Sequence, residues 1–419
     1  MYNEIDPKES IMRKVNFIAA LILLAVCSAS AQEWNQWRGP NRDGVAAAFS
    51  PPKAWPKTLT QKWKVTVGSG YSSPVVSGSR IYVHTNREDQ ETVSSIDLNT
   101  GKILWSKSYP SAFAKNQYAA KMDGGPFSTP LVDRGKLYTL GVTAILTCFD
   151  ARDGRVLWRK DFSKQIDTSK LFCGTAMSPV ADNGSVIVHV GDDRKGWMIA
   201  YDAETGKERW TWEGEGPGYS SPVVVELEGE RQIVTLTDKS VIGVSLASGK
   251  LLWKFAHTDE WNENIVTPVL YGKTLIISGV RQGTRAIRVT KDKEWSVAEV
   301  WRNQKVAMYM SSPVIDGDYL YGLSNIRKGQ FFCIDARTGE SVWMTEGREG
   351  MNASVIDARK VLFFLTSEAE LIVAAKSAKG FEQIARYSVA DSPTYAHPIF
   401  SGNKVLIKDA SSLAVWAFE

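Results

Sequence analysis

The chain has 419 residues, 43% of them hydrophobic and 23% charged, with 15 Trp and a net charge of +4. That is the composition of a folded globular protein, and its interspersed acids and bases leave no basic stripe, which excludes nucleic acid as a partner class. The length accommodates two or three ordinary domains, or one closed array of repeats.

Taken from its start, the chain opens on an export signal. Arg13 and Lys14 precede an apolar run from Phe17 to Val26, and Ala29-Ser30-Ala31 is a small-x-small cleavage site before Gln32. The run is shorter than the roughly 20 apolar residues of a membrane-spanning helix, so no transmembrane segment is expected. Met12 is an alternative start. Cys27 raises the question of a lipoprotein, but Val26 stands where such a signal needs a small residue, so lipid anchoring is not expected. The expected product is exported, periplasmic or secreted. Residues 1–31 are read as signal peptide, 32–60 as a lead-in and 61–419 as the main domain.

The lead-in carries Trp34-Asn35-Gln36-Trp37-Arg38-Gly39-Pro40-Asn41-Arg42-Asp43-Gly44 and then Pro51, Pro52 and Pro56. It has no periodicity. It is expected to lie on the surface of the main domain, pinned by its two Trp.

From Gln61 onward two markers recur. The first is an apolar run ending in Asp, a polar turn with Gly, and a returning run closed by Trp. Tyr201-Asp202-Ala203-Glu204-Thr205-Gly206 running to Trp210 is the fullest copy, with relatives ending at Trp105, Trp158, Trp253 and Trp343. This predicts a β-hairpin in which Asp bonds the turn backbone, Gly takes a positive φ and Trp packs outward. The second marker is Ser or Thr, then Pro, then a β-branched run, at Pro74, Pro130, Pro179, Pro222, Pro268 and Pro313, with weaker copies at Ser354 and Pro398. Each series counts eight, the Trp series running from Trp63 to Tyr387.

Each unit of about 45 residues resolves into four short strands with no helical period, which predicts an all-β, eight-bladed β-propeller of four-stranded antiparallel blades. A solenoid is the alternative, but it would need polar capping repeats and none is visible. The chain ends on the third strand of its last unit, Leu413 to Phe418, while Lys62-Trp63-Lys64-Val65 is an orphan strand at the start. The N-terminal strand is therefore expected to complete the last blade, leaving no exposed edge at the seam. Cys148 and Cys333 occupy equivalent positions in distant repeats, filled elsewhere by Ser95, Ala200 and Gly243. They are expected to be buried small side chains rather than a disulfide.

The recurring Asp-x-x-Thr-Gly-x-x-x-Trp with Ser/Thr-Pro-Val resembles the pyrroloquinoline-quinone-type propeller repeat. That family includes the quinoprotein alcohol dehydrogenases and the propeller lipoprotein of the outer-membrane β-barrel assembly machinery. The resemblance spans roughly residues 61–418 and speaks for the blade rather than for an activity. A dehydrogenase of that kind implies an adjacent Cys pair over the cofactor and, in some members, a Cys-x-x-Cys-His haem motif; this chain has neither. The function expected is that of a non-catalytic binding or assembly scaffold of the cell envelope, with a protein partner and as a monomer. The alternative is a quinone- or Ca-dependent oxidoreductase-like or sugar-binding propeller, with pyrroloquinoline quinone and Ca²⁺ as its possible cofactors.

A site is expected where the loops entering the innermost strands gather at the channel mouth. Three residues before each Pro position stand Tyr71, Phe127, Ala176, Tyr219, Ile265, Met310, Met351 and Tyr395. This ring either packs blade against blade or forms a mouth that stacks a flat ligand or grips a peptide. Polar departures from the repeat are Asp123, Glu260, Glu263, Asn264, Arg348, Glu349, Asn352 and His397. As ligand contacts the candidates are Tyr71, Phe127, Tyr219, Asn264, Tyr309, Asn352, Tyr395 and His397. Asp123, Glu263 and Asn264 are the candidate oxygen donors for a metal, although solvated loop charges explain the same residues. No catalytic residue is assigned. The excursion from Ser106 to Gly125 is either a tolerated loop or a partial cover of the mouth.

Overall fold

The computed structural model describes residues 33–111, 113–119 and 124–419. The expected export signal, with Cys27 and Ala29-Ser30-Ala31, and Asp123 lie outside the described residues. The remainder forms eight four-stranded antiparallel sheets, and the only helical elements among the described residues are four three-residue 3₁₀ turns. In blade 1 the strands are Val75–Ser77, Arg80–Arg87, Gln90–Asp97 and Ile103–Pro110, paired in that order. Blades 2 to 7 repeat this order within residues 131–161, 180–214, 223–256, 269–303, 314–344 and 353–388. The first strands of neighbouring blades touch, which puts them innermost around the axis. Blade 8 has three strands of its own, from Ile399 to Ala417, and takes its fourth from the other end of the chain. Thr60–Thr66 pairs antiparallel with Ser412–Ala417, in the register Trp63 with Val415. This is the closure that the orphan strand predicts, and it leaves no unpaired edge between first and last blades.

The two markers have separate physical jobs. In the hairpin marker, Asp202 Oδ1 accepts from the backbone of Glu204 and Thr205 and from the Thr205 hydroxyl, at 3.1, 2.9 and 2.8 Å. Asp97 does the same with Asn99 and Thr100. These donors, with Arg209 foremost at Asp202, hold both carboxyls below their usual range. The Trp on the fourth strand then docks on the turn of the following blade. The indole N–H of Trp63, Trp105, Trp158, Trp210, Trp301 and Trp343 donates to the carbonyls of Leu98, Ala151, Ala203, Leu246, Ala336 and Ser377. The ring covers the turn glycine so closely that a Cβ at Gly206 would sit 2.7 Å from Trp158. Trp253 is the exception. The next blade turns at Asp292–Glu294, without the glycine, and Trp253 donates instead to Gln232 of its own blade at 2.5 Å.

The Ser/Thr of the second marker links blades around the axis. Five of these hydroxyls accept from the marker backbone N–H of the preceding blade: His397 to Ser73, Ser73 to Thr129, Thr129 to Ser178, Ser178 to Ser221, and Thr267 to Ser312. A hydrogen bond of this kind contributes about 1 kcal/mol net, and an unmet buried N–H costs more. The belt therefore requires a hydroxyl where a strand-forming residue would otherwise do. Cys148 and Cys333 are buried against Tyr138 and Tyr321, and burial raises both thiols to about 12.

The lead-in packs on the propeller, exposed along much of residues 47–60 and anchored through Trp34 and Trp37. It crosses the end of the channel opposite the loops that enter the inner strands. Trp34 pairs with Val76 and Asn35 with Val132, Arg38 donates to the carbonyl of Pro313, and Arg42 donates to those of Ser178 and Pro179. Val45 bridges to Asp357 and Ser50 donates to Gly402. These contacts reach six of the eight blades. Trp34, Arg38 and Arg42 are buried, and burial lowers the two guanidinium pKa values to about 10 and about 9. The extended, aperiodic stretch forms only isolated bridges to the blades, and its two guanidinium groups donate through Arg38 Nη2 and Arg42 Nη1 and Nη2 to carbonyls at the inner ends of the blades.

Candidate binding site at the channel mouth

The loops that precede the inner strands converge around a cavity of about 360 Å³. Tyr71, Phe127, Ala176, Tyr219, Ile265, Met310 and Tyr395 line it, together with Asn352, Glu263, Phe172 and Cys173. Seven of the eight ring positions thus face one space, because each occupies the same step before an inner strand. Met351 stands at the rim, 58% exposed. Tyr71 packs against Tyr395 at 4.4 Å and against Phe127 at 5.5 Å between ring centres. The floor is Trp37 of the lead-in, whose indole donates to Thr267 Oγ1 at 3.0 Å. The cavity is a blind well, open at the mouth and stoppered below.

Beside it lies a second cavity of about 770 Å³, which shares Phe172, Tyr219 and Glu263 with the first. Tyr309, Asp192, Asp193, Asp238 and Trp261 complete the part that matters here. The Tyr219 hydroxyl oxygen accepts from the backbone N–H of Phe172 at 2.7 Å, which leaves its own proton directed elsewhere. Tyr309 donates to Glu263. Burial foremost, and then the Glu263 carboxylate, push the Tyr309 phenol well above its usual range. Tyr219, Trp261 and Asn262 all hold left-handed backbone, at φ 72°, 56° and 62°. Non-glycine residues in that region cost about 1 kcal/mol or more each and collect at functional loops.

The other candidates are placed differently. Asn264 is fully buried, and its amide donates to the carbonyls of Thr237 and His257 at 2.8 and 2.7 Å, so it ties blade 4 to the loop entering blade 5 and lines neither cavity. His397 sits below the well, between Trp34 and Trp37 at 6.4 and 5.4 Å, and neither ring nitrogen has a hydrogen-bond partner. Burial, helped by Arg38, lowers its pKa to about 3, which keeps the ring neutral. Of the three oxygen donors, Asp123 lies outside the described residues, Glu263 lines the cavities, and the buried Oδ1 of Asn264 has no hydrogen-bond partner but lines neither cavity. No group of three or more His, Cys, Asp or Glu among the described residues is arranged to hold a metal ion. Pyrroloquinoline quinone is a flat polyacid, and the well offers it an aromatic wall but one carboxylate and no Lys or Arg. That lining does not fit the group.

The ring followed from the repeat spacing. Trp37, Phe172, Asp192, Asp238 and Trp261 did not, since they lie outside the step before the inner strands. A signal existed for Trp261, which adjoins Glu263 in the stretch that departs from the repeat. Within the 106–125 excursion, Asn116 lines the second cavity and Phe113 packs on Gly174.

Comparison with known proteins places this geometry. The family model for the outer membrane protein assembly factor BamB matches residues 53–117 and 89–345. A protein of that name from Yersinia pestis is 21% identical over 414 residues, covering 95% of this chain and 86% of the relative. The quinohemoprotein alcohol dehydrogenase ADH-IIG of Pseudomonas putida is 35% identical over 119 residues, which is 27% of this chain and 15% of that enzyme. Among solved structures, a europium-containing methanol dehydrogenase superposes with a TM-score of 0.67 at 14% identity, covering 92% of this chain and 98% of the other. BamB from Moraxella catarrhalis superposes with a TM-score of 0.60 at 13% identity, covering 86% and 100%. The structural likenesses establish the propeller fold.

Proposed function

Because the chain belongs to the family of the outer membrane protein assembly factor BamB, we propose that it is a non-catalytic binding propeller of the cell envelope that holds an extended segment of a partner protein at its mouth. The family's part in outer membrane protein assembly supports an assembly partner, and the N-terminal pattern supports export. The observation that carries the proposal is the position of the exposed apolar side chains. Trp261, Met351, Tyr395 and Met310 are 72, 58, 43 and 38% exposed, and all stand on the loops that ring the mouth. Aromatic and Met side chains in such a ring give large contact area with adaptable shape. The stoppered well below accepts a side chain but offers no through-channel. The oxidoreductase alternative rests on fold likeness, and the well lacks cationic groups for an acidic quinone.

The test is a photo-crosslinking residue placed at Met351 and, as a control, at Leu104, which is similarly exposed but lies on an outermost strand. The purified protein is mixed with an unfolded outer-membrane β-barrel polypeptide. Adducts are expected from Met351 and not from Leu104. Equal adducts from both, or none from Met351, would refute the proposal.

A further inference from the structure

We infer that the well at the channel mouth binds a small quaternary ammonium ion of the choline type. Six aromatic residues line it: Trp37, Tyr71, Phe127, Phe172, Tyr219 and Tyr395. Three of them stand close enough to act on one guest, since the ring centre of Tyr71 lies 4.4 Å from that of Tyr395 and 5.5 Å from that of Phe127. Aromatic rings attract a cation placed within about 6 Å of their centres, so a single guest can meet all three. Glu263 is the only Asp, Glu, Lys, Arg or His among the described residues that line the well, so its fixed charge is negative. The lining that refuses an acidic quinone therefore attracts a cation. A cavity of about 360 Å³ also suits a small guest, standing near the lower end of the range of about 300–1,000 Å³ found for small-molecule sites.

Hydrogen bonding selects among cations. A primary ammonium brings three N–H donors and a guanidinium five, and each needs an acceptor once water is excluded. Much of what the well could offer is already spent. Ser178, Ser221 and Ser312 line it, but their hydroxyl oxygens accept the backbone N–H groups of Thr129, Ser178 and Thr267. Thr267 Oγ1 accepts from Trp37, and Glu263 from Tyr309. A quaternary ammonium has no N–H to satisfy and presents methyl groups that pack on rings, which is why aromatic cages recognise it. A carboxylate on the guest would find no Lys or Arg in the well and would face Glu263, so choline fits better than betaine. Met351 and Trp261 of the rim do not line the well, so this site stands apart from the segment proposed there and either can fail alone.

The experiment titrates choline, its neutral carbon isostere 3,3-dimethylbutan-1-ol and betaine into the whole protein, followed by ligand-observed NMR. Choline is expected to bind about tenfold or more tighter than the isostere, and tighter than betaine. Tyr71→Leu and Glu263→Gln should each weaken choline about fivefold or more while changing the isostere by less than about twofold. Denaturant midpoints verify the fold of both variants, and the isostere comparison needs only the native chain. Equal affinities for choline and the isostere would overturn the cation site and leave an apolar well. Betaine binding tighter than choline would overturn the charge assignment. No saturable choline binding would overturn the inference outright, and Met351 adducts formed all the same would leave the captured-segment reading standing. Choline binding of the expected strength without Met351 adducts would sustain the cation site and sink the segment reading.

Discussion

Replacing Gly206 with Ala measures how firmly neighbouring blades are locked. The substitution has two separable costs. Gly206 sits at φ 68°, where a β-carbon costs about 1–2 kcal/mol. The new methyl would also lie 2.7 Å from Trp158 Cδ2, so the ring must retreat by about 0.7 Å to regain ordinary contact at 3.4 Å. That movement strains the 3.3 Å bond from the indole N–H to the carbonyl of Ala203, which is worth about 0.5–1.5 kcal/mol. With the loosened packing the total is about 3–4 kcal/mol. Gly229→Ala is the matched control: φ is 75°, and a Cβ there meets nothing within 4 Å, so only the backbone cost of about 1–2 kcal/mol remains. Urea unfolding of both variants should show an excess of about 2 kcal/mol for Gly206→Ala. In a Trp158→Ala background that excess should vanish, since the ring that opposes the methyl is gone. Equal destabilisation by the two glycine variants, or an excess that survives without Trp158, would refute the interblade lock.

Two more predictions concern the stoppered end and acid. Arg42→Met should destabilise by about 2–4 kcal/mol, because the carbonyls of Ser178 and Pro179 lose a buried donor, and should speed proteolysis within residues 34–49; a change under about 0.5 kcal/mol would refute the anchoring role. Burial lowers His189 and His257 to about 4 and His397 to about 3, against 6.5 unfolded. The unfolded chain therefore binds more protons below about pH 6.5, and stability falls as pH drops, by up to about 1.4 kcal/mol per pH unit for each group. His397→Phe keeps the packing between Trp34 and Trp37 and removes one titration, so its gain over the native chain should be larger at pH 5 than at pH 7. Denaturant midpoints with no difference between the two pH values would refute this.

The sequence by itself determined the blade and the number of blades. Asp202, Thr205, Gly206 and Trp210 act within a hairpin or on the adjoining turn, and Ser73, Thr129, Ser178, Ser221 and Ser312, each before a Pro, accept from the neighbouring blade. Interactions that local and periodic appear as letters at fixed spacing. The orphan strand at Lys62–Val65 also revealed the closure, because a four-stranded sheet with three strands has an edge to fill. The ring of Tyr71, Phe127, Tyr219 and Tyr395 was legible for the same reason. What only the tertiary structure decided is which departures from the repeat face a common space. Asn264 and Glu263 are adjacent in the chain, yet one amide is spent on the backbone of Thr237 and His257 while the other side chain walls the mouth. Asp238 and Trp261 lie 23 positions apart and become neighbours of one cavity because curvature brings the turns of blades 3 to 6 together. The lead-in carries no periodicity at all. Its course through the axis is set by the unpaired carbonyls at Pro179 and Pro313 and by the space that eight blades leave between them, and neither exists until the ring has closed.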